Sequence, residues 1–258
     1  MTQQAREPEM RSALIIGGAS GVGAATAEAF AANGIRVAVA DVAHAAAQTL
    51  ASALGRDHRA YACNIADEAS VVALFDAVER DFGDLAILVI AAGTAGFLDA
   101  AMPRLHETPT GHWDKVMDIN LRGSFVAVRE MLRRRIASPV DHARIVTISS
   151  MAPQKIPSVA AAAYVISKAG VLALTKVAAG EAAPCGMTVN SVAPGAVDTP
   201  MLRERTPVEE FDDLFGPTLA GRPARPDEIA SAVLYLASEE AAFVNGACLD
   251  INGGMLMR

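Results

Sequence analysis

Short, almost wholly apolar runs alternate along this chain with longer stretches in which apolar residues return every three or four positions. The runs at 12–16, 35–41, 59–63, 85–91, 144–149, 187–193 and 247–251 read as strands. Leu85-Ala86-Ile87-Leu88-Val89-Ile90 has no polar side, the pattern of a strand covered on both faces by helices in a parallel sheet. Helical periodicity fills 21–32, 44–54, 67–82, 111–136, 161–183 and 226–238, with a short helix near 207–215. Repeated strand–helix units with short connections require right-handed crossovers, which predicts an α/β, doubly wound parallel sheet of about seven strands with helices on both faces. No linker, repeat or low-complexity block interrupts the alternation, so residues 11–258 read as one domain behind a polar, flexible tail at 1–10.

Bulk properties narrow the function classes. A chain of 258 residues with 52% hydrophobic and 20% charged residues builds one large core and is not a disordered polymer. Its net charge of −7 leaves no electrostatic footprint for nucleic acid or an anionic membrane. The run Arg133-Arg134-Arg135 sits near a helix end, where the dipole favours cations on a solvated face. No uninterrupted apolar segment reaches the roughly 18 residues a spanning helix needs, and Met1 to Glu9 has no signal-peptide core. The three cysteines, Cys63, Cys185 and Cys248, are scattered and odd in number, which suits reduced thiols in a cytoplasmic protein better than a disulfide frame. The five histidines lack metal-ligand spacing, so no metal is expected.

The first strand runs directly into Gly17-Gly18-Ala19-Ser20-Gly21-Val22-Gly23 and then into a helix. Glycine permits a tight turn and a close approach to a diphosphate, and the following helix offers unpaired N–H groups and its positive dipole end. The second strand ends on Asp41, 18 residues after Gly23, where a carboxylate takes the ribose hydroxyls of a dinucleotide. Asp41 also reads as a turn residue capping the next helix. As a ribose ligand it repels a 2′-phosphate, and no Arg or Lys stands at Ser20 or in Val42-Ala43-His44 to neutralise one. NAD is therefore expected rather than NADP. In a sheet of this type ligands lie beyond the carboxyl ends of the strands, which directs attention to 17–23, 41–44, 63–67, 91–110, 149–160 and 194–225.

One of the later helices carries Tyr164-Val165-Ile166-Ser167-Lys168. Positions i and i+4 share a helix face, so the Lys168 ammonium is expected to lower the Tyr164 pKa and make the phenol an acid/base for an alcohol or carbonyl oxygen. The strand at 144–149 delivers Ser149-Ser150, and a hydroxyl there would hold the reacting oxygen near Tyr164. Asn120 interrupts an otherwise good helix, with which its amide competes for hydrogen bonds.

Taken together, these motifs resemble the short-chain dehydrogenases/reductases from about Arg11 to Gly254. The resemblance rests on the Gly17/Gly21/Gly23 loop, Asp118-Ile119-Asn120-Leu121, Ile148-Ser149-Ser150, Tyr164-x-x-x-Lys168, Val189-Asn190-Ser191-Val192-Ala193-Pro194-Gly195, Thr199-Pro200-Met201 and Asn252-Gly253-Gly254. It implies a Rossmann-like, dinucleotide-binding catalytic domain in which Tyr164 is the acid/base and Lys168 tunes it and holds the nicotinamide ribose. Ser150 would orient the substrate oxygen, with Ser149 as the alternative, and Asn120 would hold a water on the proton path. The cofactor would be held by Gly17, Ser20, Gly21, Val22, Gly23, Asp41, Asn64, Ile65, Ala92, Gly93, Pro194, Gly195, Val197 and Thr199 together with Tyr164 and Lys168. The implied activity is interconversion of a secondary alcohol and a ketone with NAD; the alternatives are NADPH-dependent carbonyl reduction and a non-catalytic NAD(H)-binding regulatory protein.

The chain departs from the family pattern in several places. Ile16 stands where a threonine usually ties down the glycine loop. Ile90-Ala91-Ala92-Gly93 replaces Asn-Asn-Ala-Gly, Asn64 replaces an aspartate near the adenine, and the interval of 14 from Ser150 to Tyr164 is one longer than usual. The substrate pocket is expected between 94–112, 151–160 and a flap near 200–220. Phe97, Leu98, Met102 and Leu105 are available to cover a ligand, as are Phe211, Leu214 and Phe215 on the flap. Lys155, Arg203 and Arg205 read either as an anion-binding set or as solvated surface charges. The resemblance also implies a dimer or tetramer built through the helices at 111–136 and 161–183, of which a homotetramer is expected.

Overall fold

Alternation along the strands divides the core into two layers. In the computed structural model, which describes residues 10–98, 101–155, 160–203 and 218–257, seven strands among the described residues lie parallel in the order β3-β2-β1-β4-β5-β6-β7. They are β1 (Ser12–Ile16), β2 (Arg36–Asp41), β3 (Arg59–Ala62), β4 (Ile87–Ile90), β5 (Arg144–Ile148), β6 (Thr188–Pro194) and β7 (Cys248–Ile251). Leu14, Ile16, Leu88 and Ile90 pack on one side with Val71 and Phe75 of α3 (Glu68–Phe82), Met131 of α5 (Gly123–Ala137) and Ala178 of α6 (Ala162–Ala182). Ala13, Ile15, Val37 and Val39 pack on the other with Phe30 of α1 (Gly21–Ala32), Ala47 of α2 (His44–Leu54), and Val233 and Leu236 of α8 (Pro226–Ala237). Each such large aliphatic taken out of water contributes about 1.5–3 kcal/mol. The doubly wound sheet is thus the expected one, and most element boundaries fall within a residue or two of the sequence periodicity. Strand order reverses at β1, between β2 and β4, and there the loops splay apart and open a crevice.

The helix expected over 111–136 is not continuous. It divides into α4 (Thr110–Met117), a widened π turn at Asp118–Arg122, and α5. The extra residue in that turn rotates Asn120 into the interior, where it is fully buried. Past the turn, Gly123 lies so close to the loop after β3 that a Cβ there would stand 2.5 Å from the Ile65 carbonyl oxygen.

Extended to Cys185, α6 has the length and mean hydropathy (1.4) of a membrane-crossing helix, although it contains Lys168. It is nevertheless a layer helix. Its buried positions, among them Ser167, Lys168, Val171 and Thr175, face the sheet, and only 39% of its most apolar window is buried. The chain turns at the short α7 (Pro200–Arg203). The short helix near 207–215, the tip of the expected flap and most of the expected tail lie outside the described residues.

Two alanine substitutions separate tight packing from open helix surface. Gly123→Ala should cost about 1–3 kcal/mol of unfolding free energy through overpacking. Gly180→Ala, on an exposed turn of α6 where nothing lies within 4 Å of the new Cβ, should gain up to about 1 kcal/mol. Urea midpoints of the two variants against the parent measure both.

Candidate active site

The carboxyl ends of β1, β2, β4, β5 and β6 open onto one cavity of about 640 Å³. At one end lies the glycine loop. Gly17 and Gly18 donate their N–H groups to the Ala40 carbonyl, and Ala91 and Ala92 donate theirs to the Ile16 carbonyl, so the ends of three strands are laced together. Gly17 adopts φ +83°, and a Cβ there would stand 2.3 Å from the Ala92 nitrogen. Gly23 is equally constrained, since its Cβ would lie 2.0 Å from the Gly17 carbonyl oxygen. No side-chain hydrogen bond caps α1 at Ser20. The first-turn N–H groups, which have no intrahelical partners, thus line the cavity at Ser20, Gly21, Val22 and Gly23. That donor set fits a diphosphate.

Asp41 projects from the end of β2 into the same space and closes the loop. Its Oδ2 accepts from the Ala19 N–H at 3.0 Å and its Oδ1 from the Ala43 N–H at 2.9 Å. One carboxylate therefore ties down a glycine loop that lacks a threonine at position 16, and it still borders the cavity. Asp41 does not cap the following helix, whose N-cap is Ala43 with no side-chain hydrogen bond, but it does border the cavity. Lys155 and Lys168 are the cations among the described lining residues, and neither belongs to the segment after β2. Asn64 forms a local turn, its Oδ1 accepting from the Ala66 N–H at 3.1 Å, and Ile65 is buried beside it. Gly195 packs on Asn252, and Gly21 on the Thr199 side chain, which brings the 194–199 segment across the cavity to the glycine loop.

The reaction end is built around α6. Tyr164 and Lys168 both line the cavity, with the Lys168 Nζ 6.0 Å from the Tyr164 ring centroid and donating to the Ile148 carbonyl at 2.7 Å. The two serines separate clearly. Ser149 turns inward and donates to the Lys168 carbonyl at 2.9 Å, whereas Ser150 is hydrogen-bonded with Tyr164 and accepts from the Ala152 N–H at 3.1 Å. The extra residue between Ser150 and Tyr164 thus does not separate them.

Asn120 acts through its side chain. Its Oδ1 accepts from the Thr94 N–H at 2.8 Å, and its Nδ2 donates to the Thr94 carbonyl at 2.9 Å and the Ser167 Oγ at 3.0 Å. Ser167 in turn donates to the Tyr164 carbonyl. Gly93 lies over this group, since a Cβ there would stand 3.3 Å from the Asn120 Oδ1 and 3.5 Å from the Lys168 Nζ.

The expected direction of the Tyr164 shift requires correction. Burial pushes the phenol up, opposed by the Ser150 hydrogen bond, while burial pushes the Lys168 ammonium down to about 8. Removal from water outweighs helix spacing for both groups.

Of the apolar residues expected over the substrate, Phe97 and Met102 line the cavity while Leu98 and Leu105 do not. Leu98 forms an isolated antiparallel bridge with Ala101, and Leu105 lies exposed on a 3₁₀ turn. Phe211, Leu214, Phe215 and Arg205 fall outside the described residues. Arg203 is ion-paired with Asp198. Val42, Cys63 and Met151 also line the cavity, inside segments to which the sequence directed attention, whereas Met255 was missed. Its one available signal was position beyond the carboxyl end of a strand. Burial pushes the Cys63 thiol up to about 11, so it is an inert wall.

Residues 17–256 match the family described as Enoyl-(Acyl carrier protein) reductase. The D-threitol dehydrogenase of Mycolicibacterium smegmatis is 39% identical over 95% of this chain and 93% of its own length. The cis-4-hydroxycyclohexanecarboxylate dehydrogenase of Sinomonas cyclohexanicum is 37% identical over 95% of this chain and 96% of its own. A solved structure of a short-chain dehydrogenase/reductase, a glucose/ribitol dehydrogenase from Brucella melitensis, superposes with a TM-score of 0.88 at 27% identity, covering 97% of this chain and 99% of that one.

The depressed Lys168 carries a stability signature. Between a folded value of about 8 and an unfolded value of 10.5, the unfolded chain binds more protons than the folded one, so unfolding free energy rises with pH through that window and the contribution is flat below it. Lys168→Met should remove the climb, at most about 3 kcal/mol, in urea unfolding followed from about pH 7 to about pH 10.

Proposed function

Since this chain belongs to the short-chain dehydrogenase/reductase family of oxidoreductases, we propose that it oxidises a secondary alcohol to a ketone with NAD and that Tyr164 takes the hydroxyl proton. The observation that carries this reading is the convergence of Tyr164, Ser150 and Lys168 on the cavity that also holds the uncapped start of α1 and the Asp41 carboxylate. A bound dinucleotide would supply the hydride acceptor, the C4 position of its nicotinamide ring, for the carbinol carbon.

The protein's own part is binding, orientation and proton transfer. The N–H groups of Ser20, Gly21 and Val22 would hold the diphosphate, and Asp41 would take the adenosine ribose hydroxyls. Asn64 and Ile65 would border the adenine, while Ala92, Gly93, Pro194, Gly195, Val197 and Thr199 would enclose the nicotinamide half. Ser150 donates to the substrate oxygen, and Tyr164 removes its proton. The buried ammonium of Lys168 stabilises the phenolate that results. Asn120 holds the Thr94 loop and, through Ser167, the Tyr164 backbone, and would hold the water that extends the proton path from Lys168.

NAD is favoured over NADP because Asp41 repels a 2′-phosphate and no cation among the described lining residues stands at that end of the cavity. The odd number and scatter of Cys63, Cys185 and Cys248 along the sequence support a cytoplasmic enzyme. The apolar side chains left exposed on α5 (Phe125, Ile136) and α6 (Ile166, Val177) support a homotetramer joined through those helices, for which a monomeric mass in solution scattering would be contrary evidence.

Tyr164→Phe should lower NAD-linked alcohol oxidation by roughly 10²–10⁴-fold while leaving NADH binding measurable by fluorescence. NADH should bind at least about tenfold more tightly than NADPH, and Asp41→Ser should narrow that gap by about 1 kcal/mol or more. Tighter NADPH binding by the parent enzyme would instead support the carbonyl-reductase reading.

A further inference from the structure

The reaction end of the cavity has an unequal chemistry. Its wall beyond Tyr164 is apolar and rich in methionine, contributed by Phe97, Met102, Met151, Met201, Leu202 and Met255. On the segments after β4 and β5, the polar lining side chains are Thr94, Ser149, Ser150 and Lys155. Three of these are already engaged: Ser149 with the Lys168 carbonyl, Ser150 with Tyr164, and Thr94 in a weak contact at 3.4 Å with the Gly96 N–H. The carboxylate among the described lining residues is Asp41, which stands on β2, across β1 from β4 and β5.

Lys155 is the exception. It lies at the end of the 3₁₀ turn Ala152–Gln154 that leads away from Ser150. Its side chain is exposed, and among the described residues it takes part in no ion pair or hydrogen bond. A turn of this kind rises about 2 Å per residue, so the Lys155 backbone lies on the order of 10 Å from that of Ser150, with a flexible ammonium that reaches part of the way back.

Accepting the alcohol-dehydrogenase reading above, we propose that the substrate is a largely apolar secondary alcohol bearing a monoanionic tail, a carboxylate or sulfonate, which Lys155 receives while the carbinol sits between Ser150 and Tyr164. An extra hydroxyl laid against Met151 or Met255, which are buried or half-buried, exchanges its water for carbon and sulfur and finds no partner, which costs roughly tenfold or more in affinity. Methionine side chains repack around rings or chains of differing outline, so the wall selects for apolarity more than for shape. An anion on the same body lacks a partner everywhere in that wall except at Lys155. Polyols are therefore poor substrates, in contrast to what the name of the threitol-oxidising relative would suggest.

The test compares 5-hydroxyhexanoate, 5-hydroxyhexane-1-sulfonate, the neutral 5-hydroxyhexanamide and a tetritol as substrates with NAD. It is run on the parent enzyme, Lys155→Met and Lys155→Arg. Alongside, the unreactive hexanoate and hexanamide are titrated calorimetrically into enzyme holding NADH. The expected result is at least a tenfold preference in kcat/KM for an anionic alcohol over the amide, expressed mainly in KM. Lys155→Met should collapse that preference and Lys155→Arg largely restore it, with the tetritol poorest. The carboxylate and sulfonate arms distinguish which anion is received. Equal turnover of amide and anions, or a preference that survives Lys155→Met, overturns the proposal while the dehydrogenase reading stands. No turnover of any alcohol, with hexanoate still binding in a Lys155-dependent manner, keeps the anion site and removes the dehydrogenase reading instead.

Discussion

A single buried amide organises the working end of this molecule. Asn120 has no access to solvent, and leaving its polar atoms unpaired inside the protein would cost about 1–3 kcal/mol each. Its side chain finds partners on two other segments, the backbone of Thr94 after β4 and the Ser167 hydroxyl on α6, while Ser124 of α5 donates to its own carbonyl. The widened turn at 118–122 is the backbone's response, because a regular helix would leave that amide elsewhere on its circumference. Through Ser167 the same network reaches the Tyr164 carbonyl, so the phenol, the loop over Lys168 and the helix layer below share one set of hydrogen bonds. Shifting any of the three segments would leave a buried donor or acceptor unpaired.

The dinucleotide end follows a different principle, close backbone approach. Gly17 admits no Cβ because the loops after β1 and β4 are nearly in contact, and Gly23 admits none because the glycine loop folds back on it at Gly17. The family's usual hydroxyl before the loop is replaced here by Ile16, fully buried in the core layer beneath the loop. Asp41 supplies the missing tie by accepting the Ala19 N–H, so one carboxylate both fixes the loop and presents charge to the cavity. Substitution at Asp41 therefore acts on loop geometry as well as on cofactor choice. Lys168 and Tyr164 show the complementary cost of working in a desolvated site: burial disfavours the charged form of each, raising the phenol and lowering the ammonium to about 8.

Local signals determined a great deal. Period-2 and period-3.6 patterns located the strands and helices because each element buries one face or both against its neighbours, and that requirement is written residue by residue. The glycine spacing, Asp41 at the end of β2, and Tyr164 with Lys168 on one helix face were legible for the same reason, since each depends on a few consecutive residues. Three features depended on distant segments and were decided only by the tertiary structure. Which of Ser149 and Ser150 meets the Tyr164 side chain depends on how the β5 terminus turns each hydroxyl. The π turn depends on where Asn120 finds partners 26 and 47 residues away. The electrostatic state of Tyr164 and Lys168 depends on how much water the surrounding layers exclude. Helix spacing brings two charges close, but the burial that sets their strength belongs to the whole fold.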